Sequence, residues 1–535
     1  MSSKSIVSEN HLAINVGGTT TGVSSGGEGG AFRGDPWRFV VLGVYLVHSV
    51  SNAIQWITYS PIVDEVKVYY NVGSQAVDML SLIYLIAYVA IVFVSCKVFE
   101  VSGLKRGLVV ASAFNAAGAA IKLITVYGPR SINILYLSQI LNSVTEVFLI
   151  ATPPLVATEW FLSRERTVAT ALMTNALNLG IAVGMLMPTL FVGPNKQSAE
   201  DFETLYWVQF AICAAPFIGT LLTPSAPKYV PSLAAARKNL NNSPKHPRGD
   251  ESPSQRRDDS DDEDNENRRH DNETAPILHA SSQRSSSGGH NHSLGATGAV
   301  GSNPQSSFLS VFSTVRDSIF ILKTHREFVL LCIVCGLQMG VVWAMATVLP
   351  QVMKPFGISE GQAGWMGFLN LISGVFAAPF AGSYVDRSKH YKPVLLVLML
   401  VTLVCVCAIV LGFQQMERTT TEQQHQVVVM AMALGHGAVV RCGALSKHSL
   451  AAVLFGVELT FPHAESTTAP ILAWAGSAIS IALIQLFGVM LGDAPDAHVA
   501  LSVLIVCALA LAVSTLVMMF ISSDLRRHAF ELHQS

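Results

Sequence analysis

The stretch GSYVDRSKHYK, Gly382 to Lys392, separates two apolar runs at about 362–385 and 393–413. Each run is long enough to cross a hydrocarbon core of about 30 Å, so the stretch connects two membrane spans. Its glycine permits close helix approach. Asp386 near a helix end, followed by Arg387, Lys389 and Lys392, supplies fixed charge contacts on one face of a helix bundle. Breaking such contacts would let groups of helices rock against each other.

Working outward from this connection, half of the 535 residues are hydrophobic and only 13% are charged, the composition of a polytopic membrane protein. Further apolar runs fall at about 38–60, 78–96, 107–127, 132–156, 168–192 and 204–223, and then at 328–350, 427–460, 467–491 and 497–522. About twelve transmembrane helices are expected, in two six-helix bundles over 37–224 and 326–523. Residues 1–36 and 524–535 read as tails, and 225–325 as a linker. The linker holds the run Arg256 to Asp264 and then Ser-, Gly- and His-rich sequence, too poor in apolar residues to offset the cost of ordering. It reads first as a tether and second as a regulatory segment. Within it, Glu273 with Ile277 and Leu278 fits an acidic dileucine signal, and His279, His290 and His292 a loose metal site.

The first 36 residues lack the pattern of a signal peptide, so the first span is expected to serve as the insertion signal. Lys97, Lys105, Arg106, Arg164, Arg166, Arg387, Lys389 and Lys392 cluster in alternate short loops, which predicts cytosolic termini. The formal charge of −2 carries no information about partners, and nothing points to nucleic acid. Cys332 and Cys335, like Cys405 and Cys407, lie inside apolar runs and read as small helix residues rather than a redox or metal motif. Trp56 and Trp343 stand at matching depths in the first span of each half, shortly before Pro61 and Pro350. A pseudo-twofold packing would bring both indoles toward one central cavity.

The Gly382–Lys392 stretch resembles the cytoplasmic loop signature of the major facilitator superfamily, G-x-x-x-D-R-x-x-x-R/K, with Gly382, Asp386 and Arg387 in the named places. Glu100 to Arg106 is a degraded first copy. The resemblance implies an all-α membrane protein of the major facilitator fold, working by alternating access. No G-x-x-x-x-G-K-S/T loop for ATP is present, and no enzyme chemistry is expected.

Two further strings, NAIQWITYS from Asn52 to Ser60 and VELTFP from Val457 to Pro462, resemble the feline leukaemia virus subgroup C receptor-related transporters. Resemblance extends to Leu80–Tyr88, Asn115, Gly118, Lys122, Val147–Phe161 and Leu179–Gly184. Members of that family are described as haem transporters and as choline or ethanolamine transporters. The resemblance carries their binding tryptophan and asparagine onto Trp56 and Asn52. It carries a helix-seven aromatic onto Trp343, with Gln338 near an asparagine position. The family's helix-five and helix-eleven glutamines fall on Asn178 and Ser477, shorter groups that leave the head group of the substrate open.

A quaternary ammonium needs π-faces and oxygen acceptors, and each cation–π contact contributes about 0.5–2 kcal/mol. Trp56 and Trp343 would form two walls, with Asn52, Asn178 and Gln338 holding a hydroxyl or amine through their amides. The competing reading makes the indoles interfacial anchors. Glu146, in the middle of the fourth span, is expected to attract a cationic substrate or take up a proton, or else to be a neutral structural group. His48 is a candidate haem ligand or titrating group against a plain structural role. Lys122 and Glu458 read as snorkelling or capping residues. Residues 434–449, with His436, Arg441, Lys447 and His448, are too polar for a regular span.

The expected function is thus transport of haem or a choline- or ethanolamine-type amine, facilitative or secondary active. The alternative is a non-transporting receptor or nutrient sensor on the same fold. The expected partners are the small-molecule substrate and the lipid bilayer, with no resident cofactor or metal, and the chain is expected to be a monomer. The plasma membrane is the first expected location, an endosomal or lysosomal membrane the second.

Overall fold

A computed structural model describes residues 12–16, 19–23, 34–162, 164–194, 197–229, 316, 318–388, 391–416, 455–456, 459–460 and 465–521. For 376–391 and a few other helical positions only the backbone is described. In the N-terminal tail, Leu12–Val16 and Thr19–Val23 pair as an antiparallel hairpin, with Leu12 opposite Val23 and Val16 opposite Thr19. The linker motifs and most of the tenth expected span, residues 434–449 and Glu458 included, lie outside the described residues.

The first half runs through α1 (Trp37–Ile57), a 3-10 turn (Ser60–Ile62), α2 (Val63–Tyr70), α3 (Ser74–Ser102), α4 (Leu104–Tyr127), α5 (Ile132–Ala151), α6 (Pro153–Trp160), α7 (Arg166–Phe191) and α8 (Ala199–Leu222). The second half contains α9 (Arg326–Met353), α10 (Glu360–Ser388), α11 (Tyr391–Met416), α12 (Glu465–Leu491) and α13 (Ala497–Phe520). Ten helical stretches among the described residues are long and apolar enough to cross a membrane. The 21 residues of α1, at 1.5 Å each, span about 31 Å, one hydrocarbon thickness.

Local chemistry sets the ends. Pro61 has no amide to continue the α1 ladder, and the Thr58 hydroxyl donates back to the Ile54 carbonyl at 2.6 Å. Asn71 closes α2 in the left-handed region at φ 54°. Ser198 and Asp201 form a capping box at the start of α8. We call the face from which α1 starts the terminal face, and the face carrying α2 the far face.

Each half is held by glycine pairs four residues apart. Gly180 and Gly184 of α7 lie against Val50, Ala53, Ile54 and Ile57 of α1, and Gly336 and Gly340 of α9 lie against Ala475, Ile479 and Ser480 of α12. Helices surrounded by lipid gain little from hydrophobic burial against each other, so close backbone approach through small residues supplies the dispersion contact. The two seams are α1 on α7 and α9 on α12, equivalent under a pseudo-twofold relation. Between the halves, α3 packs on α12 and α7 on α10. One buried cluster runs through the contact, joining Leu82 and Leu85 of α3 to Val341, Ala344, Ile484 and Phe487.

The same relation appears in two lysines. Lys105, at the start of α4, donates to the carbonyls of Leu221 and Thr223 at the end of α8. Lys392, at the start of α11, donates to Met519 O at 3.1 Å and Ile521 O at 2.5 Å at the end of α13. A cation at a helix C-terminus meets unsatisfied carbonyls and the negative end of the dipole, a contribution of about 0.3–1 kcal/mol. The last basic residue of the motif and its first-half counterpart therefore staple helices within a half. Gly382, Asp386 and Arg387 lie in the last two turns of α10, and their side chains are outside the described residues.

Candidate functional site

Trp56 and Trp343 belong to one apolar cluster. Trp56 is 3% exposed and packs among Ala53, Ile57, Tyr84, Ile181 and Met185 of the first half, with Trp343, Ala346, Leu349 and Leu371 of the second half against them. The seam between the halves thus passes through the expected aromatic pair. Trp56 is fixed to α3 twice, by its indole Nε1 donating to Ser81 O at 3.1 Å and by Ser81 Oγ donating to Trp56 O at 3.3 Å. Packing and hydrogen bonding give the ring one orientation, with α9 directly beyond it.

The remaining expected site residues divide. Asn52 lies inside the first half, its Nδ2 donating to Asn115 Oδ1 at 3.2 Å and to Asn142 O at 2.9 Å. It positions α1 against α4 and α5 rather than reaching the second half. Gln338 is 2% exposed and donates to Ser514 Oγ on α13 at 2.6 Å. Its amide is thereby turned into the second half, away from Trp56. Ser477 is 2% exposed and donates to Ala473 O within its own helix at 3.1 Å. Gly476 beside it meets Met339 and Trp343, so this turn of α12 touches the seam through its glycine. Asn178 is half-buried on α7, one residue from Leu177 of the Trp56 cluster.

Glu146 and His48 lie lower, toward the terminal face. The antiparallel pair α1 and α5 shows a constant register: Asn52 bonds Asn142 O, and the Tyr45 hydroxyl donates to Leu149 O at 2.7 Å. That register puts His48 and Glu146 at the same level. Glu146 shares the α5 face of Gln139 and Asn142, which look toward α1; it is half-buried, with Oε2 unpartnered. His48 is 1% exposed with Nε2 unpartnered.

Lys122 departs from its sequence reading. It does not snorkel: the residue is fully buried, donates to Gln55 and, at 3.1 Å, to Gln209 Oε1, and stands 4.9 Å from the Tyr59 ring centroid. Five residues before the end of α4, the side chain turns into the bundle, where two amide oxygens and a π-face solvate the ammonium. Gln55 in turn accepts Gln139 Nε2 on its backbone carbonyl at 3.1 Å, and Gln139 Oε1 accepts the Tyr84 hydroxyl at 3.3 Å. A polar chain therefore runs from Lys122 to a wall of the Trp56 cluster.

Sequence reasoning missed the far-face contacts between the halves. Ser60 Oγ lies 2.9 Å from Ala346 O and 2.6 Å from Thr347 O, and Gln351 Nε2 donates to Asp78 Oδ1 at 2.6 Å. Lys354 pairs with Asp64, and the Asp64 amide donates to Glu360 Oε1 at 3.1 Å. Asp493, between α12 and α13, accepts the Ser74 amide at 2.7 Å, while its carbonyl accepts Lys67 at 3.0 Å. Hydrogen bonds joining the halves concentrate here; one nearer the middle runs from Trp474 Nε1 to Val89 O at 3.2 Å. Asp493, in the connection outside the candidate spans, is held below its ordinary carboxylate value chiefly by the Ser74 amide. No local pattern marks these residues, because their partners lie hundreds of positions away.

Comparison with known proteins agrees with this architecture. A sequence model described as Major Facilitator Superfamily matches residues 43–304. The choline/ethanolamine transporter FLVCR2 of Rattus norvegicus is 27% identical over 496 residues, 92% of this chain and 75% of that protein. The choline/ethanolamine transporter FLVCR1 of Felis catus is 26% identical, covering 92% and 74%. The crystal structure of a D-xylose-proton symporter superposes with a TM-score of 0.62 at 10% identity, over 92% of this chain and 99% of that one. A bacterial homologue of the human lysosomal transporter Spinster, inward-facing and unoccupied, reaches 0.56 at 11% identity over 92% and 98%. At such identities the two structures speak for the fold alone. With two halves seamed by α3 on α12 and α7 on α10, the chain has the major facilitator fold of a multi-pass membrane transporter, not an enzyme, and over 92% of its length it is similar to the FLVCR-related choline/ethanolamine transporters.

Proposed function

We propose that this transporter carries choline- or ethanolamine-type amines by alternating access, as a monomer with bundles at 37–224 and 326–523 joined by the 225–325 segment. The termini are cytosolic, the far face is extracytosolic, and the plasma membrane is the working location. The observation that carries the reading is the Trp56–Trp343 cluster, two indoles from opposite halves in one buried seam. Relatives named as choline/ethanolamine transporters point to the same chemistry.

A transported cation has to meet both halves, so its recognition belongs at the seam. Trp56 and Trp343 supply π-faces there, with Tyr84 adjoining them. Glu146, lower on the wall, draws the cation inward; at about 8 Å and an effective dielectric near 20, one unit charge contributes about 2 kcal/mol. Asn178 reaches the head group, whereas Asn52, Gln338 and Ser477 act by holding helices in register. The same family resemblance names haem, but His48 is enclosed in the first half and offers no open iron ligand.

Uptake of labelled choline and ethanolamine into cells expressing the wild type, Trp56→Ala or Trp343→Ala tests the proposal. Each variant is expected to lose most of its uptake at matched surface expression. Wild-type rates in both variants would remove the aromatic seam from substrate binding.

A further inference from the structure

Two glutamates meet across the far-face seam. Glu65, on α2 of the first half, is 2% exposed and its Oε2 has no hydrogen-bond partner. Glu360 opens α10 of the second half. Its Oε1 accepts the Asp64 amide, whereas its Oε2 is buried and unpartnered. Because Glu360 Oε1 holds the amide of the residue just before Glu65, the two carboxyl groups stand side by side where α2 and α10 begin. Two ionised carboxylates cannot bond, so each leaves the other's oxygen orphaned; a single proton between them turns the contact into an O–H···O bond and satisfies both.

Among the described residues, the cations of this face are bound to other groups: Arg130, after α4, stacks on the Tyr69 ring of α2 at 4.6 Å. From α2 come Asp64 and Lys67, which lie 3.5 Å apart, and from the turn after α9 comes Lys354, which also pairs with Asp64. Lys67 donates in addition to the Asp493 carbonyl in the α12–α13 connection. From α3 comes Asp78, whose Oδ1 takes Gln351 and whose Oδ2 is unpartnered. Lys67 and Lys354 are therefore engaged by other acceptors. Among the described residues no group of three or more His, Cys, Asp or Glu side chains is arranged to hold a metal ion. The cation that fits two facing carboxyls is a proton.

We propose that Glu65 and Glu360 form a proton site divided between the two halves, filled when the far face is closed and emptied when the halves part there. Glu360 precedes the apolar part of its helix, outside the candidate spans, and burial followed by the Glu65 carboxyl holds it well above the usual carboxylate range. Once the halves separate, the Glu360 carboxyl meets water and returns toward the ordinary carboxylate range. The closed state thus binds one more proton than the open state. Its advantage is complete below the open-state value and is lost as pH rises toward the closed-state value, so alkaline conditions open the far face. The proton is taken up and released by the gate, apart from any amine carried below it.

The test is electron–electron distance measurement on the full chain in lipid nanodiscs between pH 5 and 9. Nitroxides are placed on Val68→Cys and Ala494→Cys, exposed positions of opposite halves on the far face, with other reactive cysteines replaced by serine. The short-distance population is expected to dominate at pH 5 and to give way to a longer one as pH rises, the ratio changing by up to about tenfold per unit. Glu360→Gln and Glu65→Gln, in which an amide stands permanently for the protonated acid, are each expected to remain closed and lose the pH response. A distance distribution unchanged from pH 5 to 9 in the wild type overturns the proposal. So does a full wild-type response in either glutamine variant, or its loss in Asp78→Asn alone. Two single-site variants on different halves guard against one failing to fold. The readout uses no substrate, so failure of the amine reading and failure of the proton site are separable.

Discussion

Gly180 gives the sharpest test of how the seam is held. A methyl added there would come within 2.6 Å of both Ala53 Cβ and Val50 O, and within 2.8 Å of Val50 Cα. None of these atoms is the end of a flexible side chain. Ordinary carbon contacts need about 3.5–4.0 Å, so α1 and α7 must separate by about 1 Å. Overpacking of this kind costs about 1–3 kcal/mol, and the helix-propensity gain of alanine over glycine returns up to about 1 kcal/mol. The net expectation for Gly180→Ala is a loss of about 1–2 kcal/mol.

Gly43, also on α1, has nothing within 4 Å of its would-be Cβ, so Gly43→Ala receives the propensity gain without the clash. The assay is thermal unfolding of the purified protein in detergent, followed by size-exclusion fluorescence. Gly180→Ala should unfold several degrees below wild type and Gly43→Ala at or above it. Because Ala53 stands three residues before Trp56, uptake should fall in the first variant and persist in the second. Equal midpoints for the two variants would refute the close-packed seam.

Four further outcomes follow from the same geometry. Trp56→Phe keeps a π-face but loses the donor to Ser81 O, so choline uptake should fall less than in Trp56→Ala; equal loss would show that only the indole bond matters. Glu146→Gln should raise the KM for choline by roughly tenfold, the factor for somewhat under 2 kcal/mol, and an unchanged KM would remove its role in drawing the cation inward. Lys122→Met leaves Gln55 and Gln209 acceptors unsatisfied at about 1–3 kcal/mol each and should lower the unfolding midpoint; a midpoint at or above wild type would mean that the buried charge costs more than its bonds return. Lys105→Gln and Lys392→Gln should each lower the midpoint by a small and similar amount, about 0.3–1 kcal/mol, and unequal effects would speak against the matched stapling of α8 and α13.

The sequence by itself determined the class of the molecule. Apolar runs of fixed length and a charged loop between two of them follow from the hydrocarbon thickness and the cost of burying charge, both one-dimensional constraints. That Trp56 and Trp343 would come together in one buried cluster was equally legible, because a repeat in sequence becomes a twofold in space. Side-chain direction was not. Asn52 and Trp56 lie four residues apart, yet one turns to α4 and α5 while the other lies on the seam. Gln338 looked like a ligand group and faces α13; Lys122 looked like a snorkelling end and is a fully buried hub. The far-face contacts carried no signal, since Asp64 with Lys354 and Ser74 with Asp493 join residues 290 and 419 positions apart. Which atoms of a helix meet a partner depends on the rotation of each helix about its axis, and packing of the two halves decides that rotation only in the folded bundle.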